Sequence, residues 1–160
     1  MIRVRLVLLI ALVLVIIQSA LAEYPKNETY MQISDQLWNQ SGGNLTSYEY
    51  EIKYFVWNNG IYRGYPTNVF KSPNLTWDTS SGLCGDFAVL ELDMLRYHGV
   101  KAELYGVYSE DHGKHMTVLI QNNPIHTIDD KWLKNYTVLS VGLPQGYSIQ
   151  YEYDEPKGNY

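Results

Sequence analysis

The segment CGDFAVLELDMLRYHGV, at residues 84–100, limits the possible folds more than any other part of the chain. When it is wound as a helix, apolar side chains cover most of its circumference. A narrow polar strip remains at Asp86, Asp93 and Arg96. His98 and Gly99 supply the cation and the glycine with which helices commonly end. A helix that is apolar on nearly all sides must be covered by other elements, so we predict that it lies at the centre of the domain.

The residues before this helix predict further helices and a long connection. Residues 23–47 form a polar lead-in, with a hint of a short helix after Ser34. Residues 48–59 place apolar side chains at helical spacing and are followed by a glycine, which favours a second helix. Residues 60–81 are rich in proline, asparagine and glycine, which predicts a loop. Loops of that length within one domain are usually functional.

The residues after the central helix predict a series of strands separated by turns. The predicted strands are residues 101–108, 115–120, 125–130, 136–142 and 147–153. Helices that precede antiparallel strands are typical of an α+β domain, with a layer of helices packed on one sheet. We therefore predict one such domain over residues 48–153 and an exposed tail at residues 154–160.

The beginning of the chain has the features of an export signal. The basic residues MIRVR precede an apolar block from Leu6 to Ile17, and Ala20-Leu21-Ala22 has the small-x-small pattern of a cleavage site. The block is shorter than the ~20 residues of a spanning helix, which favours a cleaved signal peptide at residues 1–22. An uncleaved membrane anchor at residues 4–22 stays open as the alternative. Both predict a secreted or cell-surface protein, which contacts a membrane only if this segment is kept.

Charge and sequons agree with export and limit the partners. Loss of residues 1–22 would remove two of the 12 basic residues and none of the 17 acidic ones, leaving a net charge of −7. An acidic domain repels phosphate backbones, so we expect no nucleic-acid partner. N-x-[ST] triplets begin at Asn27, Asn39, Asn44, Asn74 and Asn135. They predict exposed positions that a glycan could occupy, although a chain rich in these residues also produces such triplets by chance.

Cys84 is the only cysteine of the sequence, so it has no partner for an intrachain disulfide. A single thiol in an exported protein indicates intermolecular pairing, a reactive group or an inert buried side chain. Cys84 lies in the first turn of the predicted central helix, where free N–H groups and the helix dipole favour a thiolate. We expect Gly82 and Gly85 to leave open space around the sulfur, and the Cys84 N–H to donate to an oxyanion.

A nucleophilic thiol needs a base, and the base needs a group that orients it. His98 is at a helix end, His112 is in a turn, and His126 has no turn to present it. His115 opens a predicted strand directly after a glycine turn, so it can project toward a helix N-terminus. A hairpin that turns at residues 121–124 would bring Asp129 beside His115. Asp130 points to the opposite face and is the second choice for the orienting group.

These residues together resemble the transglutaminase-like superfamily within the papain-like cysteine-enzyme fold. The resemblance covers about residues 50–130. It rests on Gly82-x-Cys84-x-Asp86-Phe87-Ala88, Leu95-Arg96-x-x-Gly99-Val100-x-Ala102, Gly106, His115, Asp129 and the upstream segment YFVWNNGIYRG. The resemblance implies that Cys84 is the nucleophile, His115 the base and Asp129 its orienting group.

The sequence departs from that family at two positions of the pattern. Thr117 stands where the family often has a tryptophan, and no proline follows Asp129. The resemblance also does not extend to the additional domains and calcium sites of the large animal cross-linking enzymes. Cross-linking is therefore not implied.

The expected reaction is acyl transfer by Cys84, most simply hydrolysis of a peptide or isopeptide bond because water is abundant outside the cell. A peptide or protein, with cell-wall peptides among the options, is the expected substrate. The alternative is an inactive domain that binds peptides or glycans. Glu91 favours this alternative because it shares a helix face with Cys84, but it is two turns away.

A metal site is the third hypothesis. Its donors would be Cys84, His112, His115 and Asp129, but one cysteine with scattered partners is a poor match to zinc geometry. We therefore expect no metal. We expect no cofactor either, because no glycine-rich stretch has phosphate-loop spacing.

Overall fold

The computed structural model describes residues 24–110, 113–122, 124–129, 133 and 135–150. The predicted signal or anchor segment, His112, Asp130 and the tail lie outside the described residues. The helices are α1 (Tyr30–Gln40), α2 (Leu45–Asn59), α3 (Pro73–Thr79) and α4 (Cys84–Tyr97). The strands are β1 (Ile61–Tyr62), β2 (Val69–Lys71), β3 (Ser81–Gly82), β4 (Ala102–Ser109), β5 (Gly113–Ile120), β6 (His126–Thr127), β7 (Tyr136–Val141) and β8 (Ser148–Gln150).

Helix α4 occupies the centre of the domain, which confirms the prediction made from its apolar circumference. It contacts the other three helices as well as β2, β3, β4 and β5. Its buried side chains run almost without interruption from the first turn to the last: Asp86, Phe87, Ala88, Val89, Leu90, Glu91, Leu92, Met94 and Leu95. Although most of the helix is enclosed, Cys84 in its first turn is only partly buried.

An antiparallel sheet with the strand order β6-β5-β4-β7 packs against α4. The register of β4 and β5 runs from Ala102 opposite Ile120 to Ser109 opposite Gly113. A bulge between Gly106 and Val107 shifts the register of β4 against β7. The domain is thus mixed α and β with an antiparallel sheet, as predicted.

The structure corrects the prediction for residues 60–81. This segment contains β1, β2, α3 and β3 instead of one long connection. Ser72 caps the N-terminus of α3 by accepting from the Leu75 N–H, and Pro73 occupies the first turn, where its missing N–H costs nothing. Strands of two or three residues leave no periodic pattern in the sequence, which explains why they were missed.

The strands predicted after β5 also differ from expectation. Among the described residues of 125–130 only His126–Thr127 form a strand, β6; β8 covers Ser148–Gln150, and residues 151–153 of the segment 147–153 lie outside the described residues. β8 does not join the antiparallel sheet, because it pairs in parallel with β2 in a separate two-stranded sheet. The prediction of a single sheet was therefore wrong for this strand.

The N-terminal helices begin earlier than predicted because their caps lie upstream. Thr29 and Gln32 form a capping box, so α1 starts at Tyr30 and not after Ser34. The Asn44 side chain accepts from the Ser47 N–H, and α2 starts one residue after it. The lead-in segment also contributes to the core, where the Tyr24 ring stacks on Trp77 and its hydroxyl donates to the Val56 carbonyl. Among the described residues, no helix is long and apolar enough to cross a membrane.

Gly85 is required by the packing of α4 against β2. A methyl group at this position would overlap the buried Phe70 ring. We expect Gly85→Ala to lower the free energy of unfolding by about 1–3 kcal/mol, which outweighs the gain in helix propensity. Urea denaturation measures the change. The double variant Gly85→Ala/Phe70→Leu should recover part of the loss, and strictly additive losses would contradict this account.

Candidate active site

Cys84 begins α4 at a position that two other elements hold in place. Strand β3 directly precedes it and pairs in parallel with β1, with Tyr62 opposite Gly82. The Asp86 carboxylate accepts from the Leu83 N–H at 2.8 Å and from the Lys71 N–H at 2.7 Å. Asp86 therefore satisfies a free donor of the helix N-terminus and ties this end to β2. The thiol itself is partly exposed.

The two glycines that flank Cys84 do not leave open space, contrary to the expectation from the sequence. A Cβ at Gly82 would lie 2.6 Å from the Cβ of Asp86, and a Cβ at Gly85 would overlap Phe70. The glycines thus permit close packing of the protein's own side chains around the helix N-terminus. They do not make room for a substrate.

The structure brings together the three residues predicted to carry the chemistry. The His115 ring is close enough to the Cys84 thiol to lower its pKa by a side-chain hydrogen bond, and its Nε2 lies 2.8 Å from Asp129 Oδ2. Since Nε2 is used by Asp129, Nδ1 is the ring nitrogen left for the thiol. The β5–β6 hairpin produces this arrangement, because its register places Leu119 opposite Thr127 and returns the chain toward His115. Asp130, the second choice, is outside the described residues.

The electrostatics of this triad favour an ion pair between sulfur and imidazole. Burial opposes ionisation of Cys84, but the hydrogen bond from His115, the Met116 N–H and the charge of the imidazolium lower the pKa of the thiol below its ordinary value. Burial lowers the pKa of His115, but its hydrogen bonds to Asp129 and Cys84 raise it to about 9 overall. A thiolate beside an imidazolium is therefore the preferred state.

Asp129 stays ionised in this environment. Burial raises the pKa of its carboxyl, but the hydrogen bond from His115 and the charge of Lys53 lower it to about 2. An ionised carboxylate only accepts hydrogen bonds, so Nε2 of His115 carries the proton that joins the two groups. Asp129 thus fixes both the orientation and the protonation of the ring.

Tyr62 covers the thiol, a role that sequence analysis missed. Its hydroxyl lies within hydrogen-bond reach of both the Cys84 thiol and the Cys84 backbone N–H, and burial together with the charge of Cys84 raises the pKa of the phenol. Its ring stacks on Trp57 with the centroids 5.8 Å apart. The hydroxyl therefore occupies the place where a substrate carbonyl oxygen would meet the Cys84 N–H.

A buried cluster of charges lies behind Asp129 and was also missed. Lys53 Nζ is 2.5 Å from Asp129 Oδ1 and 3.4 Å from Glu91 Oε1, and it lies 4.3 Å from the centroid of the Trp57 ring. Trp57 Nε1 donates to the same Glu91 oxygen at 2.9 Å. Glu91, which the sequence placed on the helix face of Cys84, is thus held by Lys53 and Trp57.

Glu91 titrates near neutral pH in this cluster. Burial raises the pKa of its carboxyl to about 7, against the opposing effect of Lys53. The reason is that 1 % exposure leaves almost no water to stabilise the charge, and the negative Asp129 is a further neighbour. Nothing in the sequence pattern points to this shift, because Lys53 and Glu91 belong to different helices.

His98 and His126 have partners outside the triad. The His98 ring stacks on Trp38, and its Nε2 lies 3.5 Å from Asp35. His126 Nε2 lies 2.7 Å from Glu49 Oε2. Thr117 is fully buried. The aromatic ring beside His115 comes instead from Trp57 of α2, with the centroids 6.3 Å apart.

A cavity of about 520 Å³ opens on the His115 side of the triad. Its lining combines aromatic, cationic and triad residues: Lys53, Tyr54, Trp57, Asn58, Tyr62, Lys114, His115, Asp129 and Leu133. Cys84 does not belong to the lining, whereas Tyr62, which contacts the thiol, does. Tyr62 therefore lies between this cavity and the thiol.

The sequence matches no protein-family model and no curated protein. The resemblance to the transglutaminase-like superfamily therefore rests on the motif residues of the sequence alone. Within the described part of the chain, no group of three or more histidine, cysteine, aspartate or glutamate side chains is arranged to hold a metal ion. His112, one of the residues considered for such a site, lies outside that part.

The raised pKa of Glu91 predicts a pH dependence of stability. A carboxyl whose pKa rises from 4.5 to about 7 on folding stabilises the native state fully below pH 4.5 and loses this contribution as the pH rises through 7. Wild-type protein should lose up to about 3 kcal/mol between pH 5 and pH 8 from this group. Denaturant unfolding at several pH values measures it.

Glu91→Gln is the matched variant for this measurement, because it keeps the size and the hydrogen-bonding oxygen but does not titrate. We expect its stability to change less than that of wild type between pH 5 and pH 7. The Cys84–His115 pair is common to both proteins, and its lowered thiol pKa and raised imidazole pKa change stability in opposite directions as the pH rises, so the comparison isolates Glu91. Identical slopes below pH 7 would contradict the assignment to Glu91.

Proposed function

We propose that this protein is an exported thiol enzyme of the transglutaminase-like type with a papain-like fold. Cys84 is its nucleophile, His115 its acid and base, and Asp129 the group that orients the histidine. The observation that carries the proposal is the placement of the triad at the N-terminus of a buried helix, where His115 lowers the pKa of the Cys84 thiol and its Nε2 lies 2.8 Å from Asp129 Oδ2. The reaction is acyl transfer, with hydrolysis of a peptide or isopeptide bond as the main outcome.

The steps follow from the protonation states of the triad. The Cys84 thiolate attacks the carbonyl carbon of an amide, and the resulting oxyanion accepts from the Cys84 N–H once the Tyr62 hydroxyl has moved aside. The His115 imidazolium gives its Nδ1 proton to the leaving nitrogen, the C–N bond breaks, and a thioester remains. His115, now neutral, takes a proton from water. The hydroxide adds to the thioester, the C–S bond breaks, and acid and thiolate are released.

The cavity supports an extended substrate with a peptide character. Tyr54 and Tyr62 are exposed and Trp57 stacks on Tyr62, so planar and apolar groups find contact area along one wall. Lys114 is an exposed cation at the rim. Because the cavity is open to solvent, water reaches the thioester readily, which favours hydrolysis over transfer to an amine. Peptides and proteins outside the cell, cell-wall peptides included, are the proposed substrates.

The second candidate function is a binding module that keeps the fold without turnover. The observation in its favour is the Tyr62 hydroxyl, which contacts the thiol and the N–H that an oxyanion needs. A tyrosine fixed in this place would block attack on a carbonyl. The reactivity of the thiol separates the two functions, because only an enzyme needs an accessible thiolate.

The thiol should react with iodoacetamide at mildly acidic pH. The lowered pKa of Cys84 keeps a thiolate present below the ordinary thiol range of about 8.5. His115→Ala removes the largest stabilising contact, so the pH midpoint of labelling should rise and the rate at pH about 6 should fall by about tenfold or more. Labelling kinetics followed by mass spectrometry of the Cys84 peptide measure both. Slow labelling that is equal in both proteins would exclude the enzyme.

Tyr62 should control access to the thiol. Tyr62→Ala removes the ring and the hydroxyl, so a bulky maleimide should gain several-fold in rate relative to the small reagent iodoacetamide. Tyr54→Ala is the control, since it removes another tyrosine of the cavity and should leave that ratio unchanged. A ratio unaffected by Tyr62→Ala would show that the thiol is already open.

A further inference from the structure

Lys53 is a buried cation with no place in the proposed chemistry, and its surroundings are unusual for a lysine. Its side chain is 9 % exposed, and it lies between two carboxylates that are buried more deeply still. Removal of a lysine from water costs several kcal/mol, which only close anions offset. Lysines are seldom buried without such partners. The position therefore has to be explained by what Lys53 does to the groups around it.

The contacts of Asp129 are divided between its two oxygens. Oδ2 accepts from His115 Nε2 at 2.8 Å, and Oδ1 faces Lys53 Nζ at 2.5 Å. A carboxylate held at one oxygen can still rotate about its last bond, because this rotation has a broad energy minimum. Two partners at the two oxygens fix the carboxylate plane and hence the direction in which Oδ2 meets the imidazole.

Lys53 is itself held in place from two directions. Glu91 of α4 lies 3.4 Å from Nζ, and the Trp57 ring lies 4.3 Å below it. Trp57 is one helical turn after Lys53 on α2, and its Nε1 bonds to Glu91. The cation is therefore fixed relative to α2, which carries it, and to α4, which carries the thiol. Asp129 is thereby oriented by a cation whose own position is set by α2 and α4.

We propose that Lys53 is a positioning residue for the triad, which acts by locking the carboxylate of Asp129 in the plane that orients His115. This proposal rests on the proposed function for its consequence in catalysis. The positioning geometry does not rest on that function, because it concerns only the contacts among Lys53, Asp129 and His115. Glu91 and Trp57 hold the lysine in place, and only Lys53 contacts the carboxylate that orients the histidine.

The test compares variants that remove, keep or isolate the cation. Lys53→Met removes the charge at similar length, Lys53→Arg keeps a cation, and Glu91→Gln leaves the Lys53–Asp129 pair in place. The rate of Cys84 alkylation against pH should fall by about tenfold in Lys53→Met, approach wild type in Lys53→Arg, and change little in Glu91→Gln. If Lys53→Met alone does not fold, Lys53→Met/Glu91→Gln replaces it in the same measurement, because it removes the cation together with the second carboxylate that would otherwise be left unpaired.

A double-mutant cycle separates positioning from general stability. If Lys53 acts through Asp129, Lys53→Met should cost almost nothing further in Asp129→Asn protein. Losses that multiply in the double variant would overturn the proposal, as would a Lys53→Met protein with the wild-type rate profile. Circular dichroism and denaturant unfolding show whether each variant is folded.

A second readout does not depend on the reactivity of the thiol. At pH 6 the Nε2 proton of His115, bonded to Asp129, should give a slowly exchanging, low-field NMR signal in wild type and Glu91→Gln. The signal should broaden or vanish in Lys53→Met and in Asp129→Asn. If the signal persists in Lys53→Met with an unchanged chemical shift, the proposed positioning role of Lys53 is wrong. If wild-type Cys84 labels poorly but the NMR signal depends on Lys53, the proposed enzymatic function is wrong and the positioning role of Lys53 is supported.

Discussion

Burial of α4 is the constraint on which the rest of the structure depends. A helix that is apolar on nearly all sides is stable in water only if other elements cover it, and here α1, α2, α3 and the main sheet do so. The cover ends at the first turn, where Asp86 satisfies the free donor of Leu83 and the thiol of Cys84 is partly exposed. The same packing that stabilises the domain therefore presents one sulfur at a helix N-terminus, where its ionised form is favoured.

The charges behind the triad form a second layer of organisation. Asp129 carries His115 on one oxygen and Lys53 on the other, and Lys53 in turn meets Glu91. Each buried charge is unfavourable alone, and the cluster is tolerable because neighbouring charges alternate in sign. The titration of Glu91 near pH 7 keeps the cluster close to neutral, since burial and the nearby Asp129 favour its protonated form although Lys53 lies beside it. Buried networks of this kind specify one arrangement of their members, which suits a site that needs fixed geometry.

Tyr62 stabilises the wall of the cavity and at the same time limits access to the Cys84 thiol. Its ring stacks on Trp57 and lies close to Phe87, while its hydroxyl is within hydrogen-bond reach of the thiol and the backbone N–H of Cys84. Strand β1, which carries it, has only two residues and pairs only with β3 among the described strands. A short strand with few backbone partners is held by few hydrogen bonds, so the main-chain support of the residue that covers the thiol is small.

The sequence by itself determined the elements and the residues whose positions follow from local pattern. The apolar circumference predicted α4 and its burial, and the turn between β5 and β6 placed Asp129 near His115, because hairpin register depends on a few neighbouring residues. Only the tertiary structure decided the roles of Tyr62, Lys53 and Glu91, as well as the pairing of β8 with β2. Lys53 and Asp129 are 76 positions apart in the chain, and no periodicity records a contact that arises only when separate elements pack together.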